Sequence, residues 1–270
     1  MTGSDALFTG SIPEVYDTYL VPLIFEAYAS DLADRVAALA PPTVLETAAG
    51  SGVATRAVAS RLARDARYTV TDLNQEMLDH AERAQEPDDR IEWRQADALE
   101  LPFDADSFDV VICQFSVMFF PDKVAGYAET LRVLKQGGSF LFSVWDRIEA
   151  NEFADTVTQA AATVFPDDPP RFLARTPHGY HDVDLIRSDL VQAGFTRLSI
   201  TTLEETSSAP SPRHPAVAYC QGTPLRNEIE SRGVGLLDEV TDRATEAIAS
   251  RFGNGPVTGK IRGHIVAAVR

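Results

Sequence analysis

Apolar and polar positions along the chain fall into two alternating periods. In "VLET", Val44 to Thr47, two apolar residues run into an acid, and "YTVTD" is a second such stretch from Tyr68 to Asp72. Both read as short buried strands. Between them, Thr55 to Arg64 is rich in good helix formers, and Met77, Leu78, Ala81 and Ala84 recur at helical spacing after the second strand. "IEWRQAD" predicts a third strand ending at Asp97. "FDVVICQFS" is continuously apolar, as expected for a strand covered on both faces. A helix follows from Asp122 to Leu134, with Gly137 and Gly138 as its stop, and then a fifth strand, "SFLFSVW".

Strands alternating with helices predict an α/β fold, a doubly wound, seven-stranded and mostly parallel sheet. Ahead of it, Pro13 and Pro22 punctuate an aromatic-rich stretch, a helix runs from about Leu23 to Leu39, and Pro41 and Pro42 close it. Beyond Trp145 the pattern predicts a helix from Phe153 to Val164. "FPDDPPRFLARTPHGYHD" is too proline-rich for a core element and reads as a lid. A helix over Val183 to Ala193 and a strand over Arg197 to Leu203 resume the sheet. A Ser/Pro segment at 207–215 leads into two helices, and "KIRGHIVAAVR" supplies a last strand. The expected division is an entry segment (1–40), a core (41–146), a helical lid or cap (147–182), and a C-terminal part of the sheet (183–270) with a helical insertion at 207–258, all one continuous domain.

Composition narrows the function. At 270 residues and 44% hydrophobic content the chain can bury a full core, and a net charge of −16 opposes a nucleic-acid partner. Cys113 and Cys220 are too few for a disulfide framework or a zinc site, so no metal is expected. With no basic leader and no apolar run near the ~18 residues of a membrane span, the expectation is a cytoplasmic protein.

The candidate chemistry starts at "VLETAAGSG". A P-loop would need Gly-Lys-Ser/Thr, and no lysine is present. A dinucleotide fingerprint needs a third glycine where this chain has Thr55, and Glu46 would face the diphosphate. The remaining pattern suits a nucleoside carrying an amino acid. Ala48, Gly50 and Gly52 let the backbone come close, and Glu46 orders the loop or favours a cationic moiety. Asp72 ends the second strand, about 20 residues past the loop, where a carboxylate accepts ribose hydroxyls. Asp97 and Ala98, after the third strand, can hold an adenine edge. Each acid alone could be a helix N-cap; three at successive strand ends make a set.

Together "VLETAAGSG", "VTDLNQEML", "ADALELPFDADSFDVVICQFSVMFF" and "ETLRVLKQGGSFLFSVW" resemble the class I S-adenosylmethionine-dependent methyltransferases, in particular the ubiquinone/menaquinone-biosynthesis-like branch. The resemblance covers residues 40–146 and implies a Rossmann-like methyltransferase fold. The implied cofactor is S-adenosyl-L-methionine, leaving S-adenosyl-L-homocysteine. Ala48 stands where the family commonly has glycine, Glu46 where aspartate is commoner, and "KQGG" replaces "KPGG". The resemblance implies that Glu46, Ala48 and Gly50 line the methionine end, Asp72 the ribose, Leu73 and Met77 the adenine face, and Asp97 and Ala98 its edge. Gln114 and Phe115 would face the sulfonium, and Tyr16 or Tyr19 would cover the cofactor.

For an oxygen acceptor a base is needed, and His178 and His181 in "PHGYHD" are the candidates, with Asp182 to orient one of them. A polar loop role is the competing reading, and His214 and His264 have weaker claims. Phe119, Phe120, Trp145 and Phe172 could line an apolar acceptor pocket or simply pack. The expected activity is methyl transfer to a small-molecule acceptor, with a homodimer left open. The alternative is an S-adenosylmethionine-binding protein without methyl transfer, a lyase, cyclase or non-catalytic subunit; a nicotinamide-dependent oxidoreductase comes third.

Overall fold

The computed structural model describes residues 12–270. In chain order the helices and strands are α1 (Ile12–Val15), a wide π-helix (Tyr16–Phe25), α2 (Glu26–Leu39), β1 (Thr43–Glu46), α3 (Val53–Ala59), β2 (Arg67–Asp72), α4 (Gln75–Ala84), β3 (Ile91–Gln95) and β4 (Phe108–Gln114). There follow α5 (Lys123–Val133), β5 (Leu134–Trp145), α6 (Glu152–Val164), α7 (Phe172–Arg175), α8 (Val183–Gln192), β6 (Arg197–Ala209), α9 (Arg213–Gln221), α10 (Leu225–Glu230), α11 (Leu236–Phe252) and β7 (Val257–Val269).

The seven strands are ordered β3-β2-β1-β4-β5-β7-β6. β1 pairs in parallel with β2 and β4, β2 with β3, and β4 with β5. β7 runs the other way: Gly137 and Gly138 bond to Arg270, whereas Asp146 bonds to Arg262. The sheet is therefore mixed and mostly parallel, and the order reverses at β1 and β4, where open α/β sheets bind ligands.

Two compact units make up the described chain, one of residues 26–144, 182–202 and 264–270, the other of 12–25, 145–181 and 203–263. In the sheet-centred unit, Val44, Tyr68, Val70, Val110 and Ile112 pack with Val36, Val58 and Leu78 from α2, α3 and α4. This explains why β1 and β4 read as unbroken apolar runs: both faces are covered. In the other unit Phe153, Phe172, Ala216, Val240, Ala244 and Ile248 are all at most 1% exposed. Among the described residues no helix is long and apolar enough to cross a membrane.

Several element expectations are corrected. Pro22 does not interrupt the entry helix but sits inside the π-helix. The wider spacing accommodates a residue that lacks an N–H and whose ring crowds the preceding turn of an α-helix. α3 stops at Ala59, well before Arg64, where Ser60 Oγ donates to Ala57 O at 2.7 Å and competes with the helical ladder. Gly137 and Gly138 do not stop a helix. α5 has already ended at Val133, and the glycines shape an irregularity between β4 and β5, where register shifts between Phe108 and Val110. A Cβ at Gly138 would lie 2.9 Å from Asp109 O, so the close backbone approach requires glycine. β3 ends at Gln95, and Asp97 forms only an isolated bridge with Glu100. Three helices, not two, follow the Ser/Pro segment. The proline-rich stretch before α8 is also not peripheral to its unit, because Phe172, Leu173, Thr176, His178 and Tyr180 are all buried.

Candidate functional site

The loop leaving β1 makes three left-handed turns in five residues, at Ala48 (φ 54°), Gly50 (φ 58°) and Gly52 (φ 80°). Such φ values favour glycine, and Ala48 holds one at a cost of roughly 1–2 kcal/mol. The turns curl the backbone back over the end of the sheet, where neighbouring strands secure it. Thr47 N donates to Ile112 O at 2.9 Å and Ala49 N to Thr71 O at 3.0 Å. Ser116 Oγ donates to Ala48 O at 3.1 Å. Gly52 lies against α4, where a Cβ would come within 2.9 Å of Ala81 Cβ. At Gly50 the nearest atom to an added Cβ would be Met77 Cε at 3.9 Å, so the loop is open on that side.

Asp72 ties the loop to β2. Its Oδ2 accepts from Gly50 N and its Oδ1 from Asn74 N, both at 2.8 Å. Burial pushes its carboxyl up, against the lowering effect of those backbone bonds. Each oxygen retains a second lone pair, so the group can still accept from a ligand hydroxyl. Met77 is buried on α4 behind the loop, whereas Leu73 is 60% exposed beside it. Asp97 is exposed and accepts from Leu99 N at 2.9 Å, with half-buried Ala98 next to it.

Glu46 is the buried group of the site, at 1% exposure. Its Oε2 accepts from Thr55 Oγ1 at 2.7 Å and from the Tyr68 hydroxyl; its Oε1 has no hydrogen bond among the described residues. Burial, which disfavours the charged form, pushes this carboxyl up to about 7; the charge of Asp72 adds to the rise, while both hydroxyls and Arg56 oppose it. Beyond β4, Phe115 is held at φ 50° with its N–H on Ser143 O at 3.1 Å. Its ring meets Tyr28 of α2 edge-on, with centroids 5.0 Å apart. Half-buried Gln114 precedes it, and Phe119 is half-buried in the following turn.

Glu46, Ala48, Gly50, Gly52, Asp72, Met77, Gln114 and Phe115 thus line one edge, at the C-terminal ends of β1, β2 and β4. Tyr16, Tyr19, Trp145, Phe172, His178 and His181 belong to the other unit. There Tyr19 packs against His214, with centroids 4.9 Å apart, and Tyr16 against Phe25 at 5.4 Å. Phe172 is 1% exposed and serves as a core side chain. Asp182 orients neither histidine; its carboxylate caps α8, accepting from Asp184 N and Leu185 N. His181 Nδ1 instead lies 2.8 Å from His178 O.

Residues 45–142 match the family model described as a methyltransferase domain. A demethylmenaquinone methyltransferase of Clavibacter sepedonicus is 41% identical over 103 residues, 38% of this chain and 41% of that protein, so the chain spans well under half of that relative's length. A methyltransferase-like protein of Bacillus halodurans shares the fold, with a TM-score of 0.58 at 20% identity, over 90% of this chain and 98% of that one. The ubiquinone/menaquinone biosynthesis C-methyltransferase of Rhizobium meliloti is 31% identical over 183 residues, 62% of this chain and 71% of that protein. The chain belongs to the class I S-adenosylmethionine-dependent methyltransferases.

For a methyltransferase of this family the cofactor is S-adenosylmethionine, and the residues present fit it. Three left-handed positions leave the backbone open beside Gly50. Ser51 Oγ, on the 2% exposed Ser51, has no hydrogen-bond partner among the described residues, and one oxygen of Glu46 is likewise unused. Sequence reasoning missed the groups that set the state of Glu46. Thr55 counted only as an absent glycine, and Tyr68 only as an apolar strand position. Alternation carried a usable signal, since Tyr68, Val70 and Asp72 fall on one face of β2.

Proposed function

We propose that this methyltransferase moves the methyl group of S-adenosyl-L-methionine to a small organic acceptor, leaving S-adenosyl-L-homocysteine. The observation that carries the reading is the Gly50–Asp72 hydrogen bond, which joins a left-handed loop after β1 to a carboxylate at the end of β2. When bound, the cofactor supplies a methyl already activated by its sulfonium. What the chain contributes is binding, alignment and exclusion of water, and alignment of this kind is worth on the order of 7 kcal/mol.

In this reading Glu46, with Ala48, Gly50 and Gly52, receives the methionine end, and Asp72 the ribose hydroxyls. Leu73 and Met77 flank the adenine, whose edge falls to Asp97 and Ala98. Gln114 and Phe115 face the sulfonium. Phe119 and Trp145 are assigned to acceptor recognition, and His178 or His181 to holding a proton where the acceptor atom carries one. The proposal extends to an enzyme of the cytoplasm acting without nucleic acid, supported by the net charge of −16, which opposes a polyanion.

Calorimetric titration with S-adenosylhomocysteine, with NADH as control, tests the reading on protein shown by native mass spectrometry to carry no ligand. Micromolar binding of the first and none of the second is expected. A folded, empty protein that ignores S-adenosylhomocysteine would refute it.

A further inference from the structure

The unit containing α6 and α9 to α11 holds a polar cluster that the loop after β1 does not use. At its centre is Asp146, which follows β5 and is 7% exposed. Its Oδ2 accepts from Arg262 Nε and its Oδ1 from Arg147 N, both at 2.6 Å. Its main-chain oxygen lies 2.8 Å from His178 Nδ1. The backbone around it is locked: Asp146 N donates to Arg262 O at 3.0 Å, and Arg262 N to Asn151 Oδ1 at 3.0 Å. One residue thus fixes an arginine of β7 and a histidine from the stretch between α7 and α8.

Both held groups have binding capacity left over. A carbonyl oxygen only accepts, so Nδ1 of the neutral ring carries the proton and Nε2 is a bare acceptor. His178 is 5% exposed, and among the described residues nothing hydrogen-bonds to Nε2. Burial pushes this imidazole down to about 4; His181 adds to the fall, and the charges of Asp146 and Glu149 oppose it. The side-chain partner of Arg262 among the described residues is Asp146, through Nε alone. Its two terminal nitrogens therefore keep the planar fork that matches a carboxylate, on a side chain 31% exposed. The Trp145 ring lies 6.1 Å from that of His178, Phe25 5.8 Å from Trp145, and Tyr16 5.4 Å from Phe25, a run of packed aromatic rings that begins at His178.

We propose that Arg262 and His178 form a binding point for a flat organic acid that also carries a hydroxyl. The carboxylate meets the guanidinium fork, the hydroxyl donates to His178 Nε2, and the ring lies along Trp145. This deepens the function proposed above, on which it rests, by naming a class of organic acid that the unit holding His178 and Arg262 binds. Asp146 is a positioning residue here, because its hold on Nε aims the fork before a ligand arrives. An uncharged amide of the same shape gives Arg262 no charge to pair with, so acid and amide must differ in affinity.

The isomeric hydroxybenzoates and their amides serve as probes, read by Trp145 fluorescence in a Trp93→Phe background. The best acid is expected to bind about tenfold tighter than its amide. Arg262→Gln should erase that preference, Arg262→Lys should keep part of it, and His178→Phe should remove the advantage of hydroxybenzoate over benzoate. The affinity for S-adenosylhomocysteine should be unchanged in all three. Equal binding of acid and amide, binding of neither, or a preference that survives Arg262→Gln overturns the proposal. If Arg262→Gln does not fold, the acid-to-amide ratio of the parent protein and of Arg262→Lys decides. Lost S-adenosylhomocysteine binding with an intact acid preference would strike the methyltransferase reading instead of this site.

Discussion

Replacing Glu46 by glutamine keeps the shape of the side chain and an acceptor for Thr55 and Tyr68, and removes a charge that the site must otherwise bury. Burial raises this carboxyl from its ordinary 4.5 to about 7. Below pH 4.5 the group is protonated in both folded and unfolded chains and pH has no effect through it. Between 4.5 and 7 the unfolded chain ionises while the folded one keeps its proton, so stability falls as pH rises. A rise of about 2.5 units at about 1.4 kcal/mol each makes that loss about 3 kcal/mol, fully incurred above pH 7. Glu46→Gln should therefore match the parent at pH 4.5 and exceed it by up to about 3 kcal/mol at pH 8. Asp72, Arg56, Tyr68 and Cys113 also act on or respond to this group, but they are present in both proteins and drop out of the difference. Urea denaturation of ligand-free protein at several pH values measures it. A parent-minus-variant difference that stays flat from pH 4.5 to 8 would refute the argument. The proposed place of the methionine end beside Glu46 makes proton release on cofactor binding the expected outcome. A cationic ligand near Glu46 favours its charged form, so below pH 7 calorimetry in buffers of different ionisation enthalpy should detect proton release with the parent and none with Glu46→Gln.

Two further outcomes follow from the loop. Asp72→Ala removes the acceptor of Gly50 N and two charge-assisted sites for a ligand, and should weaken S-adenosylhomocysteine binding by roughly 1–3 kcal/mol; an unchanged calorimetric Kd would take Asp72 out of the site. Ala48→Gly relieves a left-handed alanine, worth about 1–2 kcal/mol, against the extra freedom glycine gives the unfolded chain, about 0.5–1 kcal/mol. A net gain of roughly 0.5–1 kcal/mol should appear as a higher urea midpoint at constant slope, and a lower midpoint would mean that the Ala48 methyl packs usefully.

What could be read from the sequence and what could not divide along a physical line. β1, β2 and β4 were legible because each is short, apolar and covered on both faces, so composition and period report the environment directly. The acids after β1 and β2 stood out as candidates because a strand end followed by a helix leaves few roles for a carboxylate. Pro22 misled because a proline in a π-helix obeys the same local sterics as one at a helix boundary, and only the width of the turn tells them apart. Gly137 and Gly138 misled for a related reason: glycine marks a close backbone approach, and the sequence does not say whether a helix end or a strand irregularity makes it. The state of Glu46 was out of reach, since it depends on Tyr68 of β2, brought across by parallel pairing 22 residues away, and on burial that no single segment encodes. His178 shows the same limit most sharply. Pro177 and Gly179 beside it signal a solvated loop, yet the fold buries the ring and fixes its tautomer through Asp146, 32 residues earlier. Local pattern placed the candidate residues along the sheet edge, while charge state and tautomer are set by long-range contacts, and those two properties decide what such residues can do.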